Sequence, residues 1–343
     1  MNLPQKILIV RTDRIGDVVL SLPMAELIKQ KYPICKVAYF IRNYTSSLLD
    51  GHPIIDEVVI AEESNGKILF IKNLKKIKSK NYDTCVIVNP TLRISLIMFL
   101  SGIKSRIGTG YRWYSFLFNK KVYEHRKYAD KHELEYNVNL LNKIDIDIKD
   151  LSSDIKFHLK VDAKSSEKIN SILSERGFKT ENKLVIIHPG SGGSSVDLPK
   201  EKLIELTRML SRLKNVTIII TGSKSESELC KEFEISESVV NLSGQLDLSL
   251  LKALINKAEI FISNSTGPMH IAAALGVHVF GFFPKILSCS QKRWGPYTKN
   301  RTIFIPTIDC SNCTRAQCEK LDCMNSIDIG RVFDETKNVL KIL

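Results

Sequence analysis

Short apolar runs rich in Val and Ile recur along the chain, and most are followed by a stretch whose apolar positions fall three or four residues apart. In the first half the runs are Ile7–Val10, Val37–Ile41, Val58–Ile60 and Thr84–Val88, with helical spacing at Val18–Lys31 and Leu92–Leu100. Runs this short, continuous rather than alternating, predict strands buried on both faces of a parallel sheet. The rhythm breaks between residues 154 and 183. That stretch holds a short extended piece, Ile155–Leu159, and a polar helix, Ala163–Arg176, closed by Gly177. It then restarts, with strands at Leu184–Ile187, Val216–Ile220, Ile260–Ile262 and Val277–Phe280. Helices are predicted at Lys200–Leu213, Glu226–Phe233, Leu248–Asn256 and Met269–Leu275. The pattern predicts two doubly wound α/β domains facing a central cleft. Residues 1–160 form the first and 161–182 a connector. Residues 183–327 form the second and 328–343 a terminal helix.

Composition adds little to this picture and charge adds more. The 343 residues are 43% hydrophobic and 25% charged, ordinary for a globular protein. The longest nearly apolar stretch, Ile271–Pro284, contains His278 and is too short to span a bilayer. Lys6–Val10 reads as a first strand rather than a secretory signal, so a cytoplasmic location is expected. Net charge is +13, which favours anionic partners: a nucleotide, a membrane surface, an acidic glycolipid or a nucleic acid. The lysines are scattered and no nucleic-acid-binding motif is present, so nucleic acid is set aside. The densest basic stretch, Lys72–Lys80, reads as a solvated helix face, with an anionic surface as the other reading.

The chemistry concentrates in two loops. His188-Pro189-Gly190-Ser191-Gly192-Gly193-Ser194-Ser195 and Ser263-Asn264-Ser265-Thr266-Gly267-Pro268-Met269-His270 each follow a strand run and precede a helix pattern. A strand, a tight loop and a helix start offer free backbone N–H groups to a diphosphate. Neither loop is a P-loop, and the first strand carries no Gly-x-Gly-x-x-Gly. That strand leads instead into Arg11-Thr12-Asp13-Arg14-Ile15-Gly16-Asp17. Asp17 at a helix start is either a cap or a general base. His270 is either a packed helix-start histidine or a diphosphate contact. Asp145-Ile146-Asp147 sits in a polar connector and is not read as a metal site. Cys310, Cys313, Cys318 and Cys323 have spacings within reach of one zinc or iron ion. A structural metal, free thiols and redox behaviour stay open for them.

The whole chain resembles the bacterial lipopolysaccharide heptosyltransferase family, glycosyltransferases of the GT-B fold. The resemblance is carried by Arg11–Pro23, His188-Pro189-Gly190, Leu242-Ser243-Gly244 and, above all, Ser263–Gly276. It implies an acceptor-binding first domain and a nucleotide-sugar-binding second domain. The implied reaction is an inverting transfer of a heptose or related sugar, with ADP-heptose as donor and a lipopolysaccharide core or other surface glycan as acceptor. Asp17 matches the family's base, and Asp13 is given a supporting role. Arg11, Arg14 and Gly16 fall on the acceptor side. Gly190, Ser191, Gly192, Ser194, Ser195, Ser243, Gly244, Ser265, Thr266, Gly267 and His270 fall on the donor side. Family members commonly place a cation where Val196 stands here, and Lys200 is the nearest substitute. No cofactor is required for catalysis, and peripheral contact with an anionic inner membrane is expected. A nucleotide-sugar epimerase and a non-catalytic nucleotide-sugar binder are the alternatives.

Overall fold

The computed structural model describes residues 3–147, 155–179, 181–308 and 313–342. The chain divides into two units: Met1–Arg126 with Lys131–Lys160, and Val161–Leu343 with Lys127–Asp130.

The first unit holds a parallel sheet of β1 (Lys6–Val10), β2 (Lys36–Ile41), β3 (Glu57–Ile60), β6 (Thr84–Ile87), β7 (Ser105–Thr109) and β8 (Lys120–Val122). A small antiparallel hairpin, β4 (Glu63–Ser64) and β5 (Lys67–Ile68), lies outside it. The spatial order is β3-β2-β1-β6-β7-β8. Helices α1 (Ile15–Val19), α2 (Pro23–Lys31), α3 (Phe70–Lys78), α4 (Leu92–Leu100) and α5 (Glu133–Asn139) accompany it. The single helix expected over Val18–Lys31 is broken in two. Pro23 has no N–H to extend the first turn and starts α2 at its first position.

The second unit repeats the plan with β9 (Lys183–His188), β10 (Val216–Ile220), β11 (Val239–Asn241), β12 (Ile260–Asn264), β13 (His278–Phe282) and β14 (Arg301–Phe304). All pairs are parallel, in the order β11-β10-β9-β12-β13-β14. Its helices are α6 (Ala163–Glu175), α7 (Lys200–Leu210), α8 (Ser227–Lys231), α9 (Leu248–Ile255), α10 (Gly267–Ala274), α11 (Gln291–Trp294), α12 (Arg315–Lys320) and α13 (Ile329–Leu340). Residues 161–182, read as a connector, carry α6, which packs against α9 within this unit. Asp162 starts α6 by accepting the Ser165 N–H at 2.8 Å. No strand forms among the described residues 155–162.

Numbered within each sheet, both orders are 3-2-1-4-5-6. The direction of winding reverses between the first and fourth strands, β1/β6 in one unit and β9/β12 in the other. Ligands in such sheets bind outside the carboxyl ends of strands at that reversal. Both sheets are packed with Val, Ile and Phe on each face, which fixes the register and leaves the strand ends as the polar, functional rim. These units are the two Rossmann-like domains of a GT-B fold.

Candidate functional site

At the reversal in the first unit, β1 ends in Arg11, whose side chain is 1% exposed. The guanidinium gathers three carboxylates. Its Nε lies 2.8 Å from Asp13 Oδ1, and its Nη2 pairs with Asp17 and lies 3.7 Å from Glu133 Oε1. Its Nη1 donates to Asn137 Oδ1 at 3.3 Å. Glu133 also pairs with Arg126. Burial works against the Arg11 charge, but Asp13, Asp17 and Glu133 outweigh it, and its pKa is raised. Arg11, expected on the acceptor side, is therefore engaged internally and holds carboxylates in place. Gly16 is buried inside α1.

Asp17 sits in the first turn of α1 and accepts the Arg14 N–H at 3.3 Å. The cap reading of Asp17 is met by this bond, and its other oxygen is paired with Arg11. Asp13 accepts from Asn89 Nδ2 at 2.9 Å, and burial pushes its carboxyl up to about 6 against the pull of Arg11. A pocket of about 500 Å³ opens here, lined by Asp13, Arg14, Arg42, Tyr44, Asn89 and Arg93 among others. Arg14 is exposed and lines it, whereas Arg11 does not. Three arginines around one half-buried carboxylate make a polar recess suited to an anionic or polyhydroxyl ligand.

At the reversal in the second unit the two phosphate-ready loops are physically joined. The first runs on from β9 and the second from β12, its neighbour in the sheet. Asn264, fully buried, accepts the Leu198 N–H at 2.8 Å and donates to the Pro189 carbonyl at 2.7 Å. The Ser194 hydroxyl lies 2.7 Å from the Ser265 carbonyl and 2.8 Å from the Ser191 carbonyl, with one proton for the two acceptors. Gly192 and Gly193 take φ of 55° and 73°, where a side chain would be strained. Ser191, Ser195, Ser265, Thr266 and His270 are buried at this rim. Thr266 precedes α10 in an extended conformation without a side-chain cap, so Gly267 begins the helix with its backbone N–H groups at the loop.

The Ser243-Gly244 turn follows β11 and joins through a third segment. Gly244 N–H donates to the Gly222 carbonyl at 2.9 Å. From the same Gly222–Glu226 turn, Glu226 packs so closely on Gly190 that a Cβ there would lie 2.0 Å from its Oε1. Burial pushes the Glu226 carboxyl up, but the Ser223 N–H and hydroxyl, with His188 and the Gly192 backbone, bring it below its ordinary value. His188 is buried, shares a hydrogen bond with Thr221 Oγ1 at 3.0 Å, and has its pKa lowered by burial.

Lys200, the substitute offered for the cation missing at Val196, is paired away from the loop. It is exposed on α7 and paired with both Glu232 oxygens at 2.8 Å. Val196 and Leu198 are core residues. The cation that reaches the glycine loop is Arg315 of α12, whose Nη1 and Nη2 donate to the Gly193 and Ser195 carbonyls at 2.8 and 2.9 Å. Sequence reasoning did not single out Arg315, Asn264, Glu226 or Glu133 as site residues. Asn264 lies within the Ser263–His270 loop, and Glu226 had a local signal in the Ser223-x-x-Glu226 capping box.

Of the clustered cysteines, Cys310 lies outside the described residues. Cys318 and Cys323 pack into the apolar core beside Met324, and Cys313 is part-exposed. Among the described residues no three His, Cys, Asp or Glu side chains converge on a metal position.

A model of the family described as glycosyltransferase family 9 (heptosyltransferase) matches residues 70–323. Lipopolysaccharide heptosyltransferase 1 of Campylobacter coli is 27% identical over 302 residues, covering 81% of this chain and 84% of the relative. A glycosyl transferase family 9 structure from Veillonella parvula aligns with a TM-score of 0.84 at 17% identity, covering 99% of this chain and 98% of that one. E. coli ADP-heptose lps heptosyltransferase II aligns at 0.78 and 18% identity, covering 98% of each chain. At these identities the two structures carry the fold.

Proposed function

The chain belongs to glycosyltransferase family 9, the heptosyltransferases, and from that membership we propose that it moves a heptose or related sugar from a nucleoside-diphosphate donor to a surface-glycan acceptor. ADP-heptose is the donor and a lipopolysaccharide core the acceptor that the named relatives favour. The observation that carries the reading is the joining of the two loops at the strand reversal of the second unit. The joined rim sets the uncapped start of α10 at Thr266–Gly267 beside the Gly190–Ser195 loop, and this helix end meets the charge that develops on a leaving diphosphate. His270, buried on the first turn of α10, and the Ser243-Gly244 turn complete the donor side.

In the first unit, Asp17 is the base. Its carboxylate takes the proton of the acceptor hydroxyl as that oxygen attacks the anomeric carbon, and the nucleoside diphosphate departs from the opposite face with inversion. Arg11 orients Asp17, and Asp13 with Arg14 holds the acceptor at the recess. A zinc or iron at the clustered cysteines would be structural. Metal analysis of the purified chain tests it, and no step depends on it. Asp17→Ala is expected to abolish transfer while a nucleoside diphosphate still raises the melting temperature. At 100 times its dissociation constant a ligand stabilises by about 2.7 kcal/mol. Unchanged turnover in the variant would overturn the assignment.

A further inference from the structure

Helix α4 of the first unit is apolar on both its faces. Ile94, Ile97 and Met98 are buried in the core and Leu96 packs partly against it, while Leu92, Phe99 and Leu100 fall at i, i+7 and i+8 on the other side. Leu92, Phe99 and Leu100 are exposed, Phe99 and Leu100 by 43% and 48%. The turn Ser115–Leu117 packs beside α4 and adds Trp113 and Phe116, exposed by 75% and 68%. These two are held outward by anchored neighbours. The Tyr114 hydroxyl donates to the Pro90 carbonyl at 2.8 Å, and Leu117 and Phe118 are core residues. An apolar surface this dense on a folded unit marks a contact site.

Its charge identifies the partner. From Thr84 to Tyr123 the sequence contains no Asp or Glu but six basic residues, Arg93, Lys104, Arg106, Arg112, Lys120 and Lys121. Arg106 lies over the Phe99 ring at 5.0 Å, and Lys104 and Arg112 are exposed. Aromatic and aliphatic tips among cations, with no carboxylate between them, match an anionic lipid interface. At nine residues α4 is far too short to cross one, and among the described residues no helix is long and apolar enough to do so. The surface also runs into the recess of the first unit: Thr91, which caps α4, lines that pocket with Arg93 and Asp13.

We infer that Leu92, Phe99, Leu100, Trp113 and Phe116 seat this unit on an anionic bilayer, with the recess at Asp13 opening at the lipid surface. The orientation rests on the recess being the site of a lipid-linked acceptor; the docking itself does not. The test uses the full chain carrying Trp294→Phe, which leaves Trp113 as its single tryptophan. Vesicles of phosphatidylethanolamine with phosphatidylglycerol are expected to co-sediment it and shift Trp113 emission to the blue. Vesicles of phosphatidylcholine alone are expected to bind it weakly. Trp113→Glu with Phe116→Glu, and separately Lys104→Glu with Arg112→Glu, should each weaken anionic-vesicle binding about tenfold or more while melting as the parent does. Absent binding by the parent, or binding undiminished in either variant, overturns the inference. So does a dimer in light scattering that the Trp113/Phe116 variant abolishes, which would assign the surface to a second copy. Vesicle binding without transfer from ADP-heptose would leave the docking standing and remove the functional reading instead.

Discussion

The Ser194 hydroxyl lies 2.7 Å from the main-chain carbonyl of Ser265, tying together two loops 71 residues apart in sequence. The bond turns two separate anion-ready loops into one rim. Ser194→Ala removes the tie and leaves the backbone intact. A hydrogen bond of this kind is worth about 0.5–1.5 kcal/mol net, so the donor KM should rise roughly 2- to 12-fold with a smaller change in kcat. Steady-state kinetics at varied nucleotide-sugar concentration reads this directly. A KM equal to that of the parent would mean the loops are held in register by Asn264 alone.

Arg11 is the group on which the first unit's site depends. It is fully buried among Asp13, Asp17 and Glu133, so removing it leaves like charges facing one another in a low-dielectric setting. Breaking a buried ion cluster on one side costs about 3–5 kcal/mol. Arg11→Lys keeps the charge but cannot reach Asp13, Asp17 and Asn137 with one planar fork. Denaturant unfolding should place Arg11→Lys between Arg11→Ala and the parent, with transfer strongly reduced in both. Full activity in Arg11→Lys would show that charge alone, without the fork, positions Asp17.

Much of this was legible in the sequence, and the failures share a cause. Central strands such as Ile7–Val10 and Val216–Ile220 announce themselves because burial on both faces demands β-branched runs. The outer strands Ser105–Thr109, Lys120–Val122 and Arg301–Phe304 do not. Lying toward the sheet edges, they carry Ser, Thr, Arg and Lys, and only pairing with a neighbour makes them strands. The two glycine- and serine-bearing loops were visible from spacing, as was Asp17. Their partners were not, because the contacts are long-range: Arg11 meets Asn137 across 126 residues and Arg315 meets Gly193 across 122. The same limit applies to Lys200, close in sequence to the loop but directed to Glu232.

Arg315 and Lys200 make opposite predictions for the cation question. Arg315 takes up the Gly193 and Ser195 carbonyls, which fixes the loop and brings positive charge beside it. Lys200 holds an exposed pair with Glu232 on the outside of α7. Arg315→Ala should raise the donor KM several-fold, and Arg315→Lys should rescue it poorly because one ammonium cannot satisfy two divergent carbonyls. Lys200→Ala should leave the donor KM unchanged. Measured together, the three variants decide between the cations, and a Lys200→Ala defect larger than that of Arg315→Ala would reverse the assignment.

Asp197 gives a pH test that needs no substrate. It lies beside Ser191 and Arg315, and burial pushes its carboxyl from 3.8 up to about 6, against the opposing pull of Ser191 and Arg315. The folded protein therefore keeps a proton here that the unfolded chain releases between these values. The stability this group contributes is complete below pH 3.8 and is lost as pH rises through about 6. Asp197→Asn holds the neutral form at every pH. Its melting temperature should match the parent near pH 4 and exceed it by roughly a few degrees at pH 7.5. If the attraction of Arg315 outweighs the burial of Asp197, the sign reverses: the variant would melt below the parent at pH 7.5, and the glycine loop would be held by an ion pair rather than by the carbonyl contacts of Arg315.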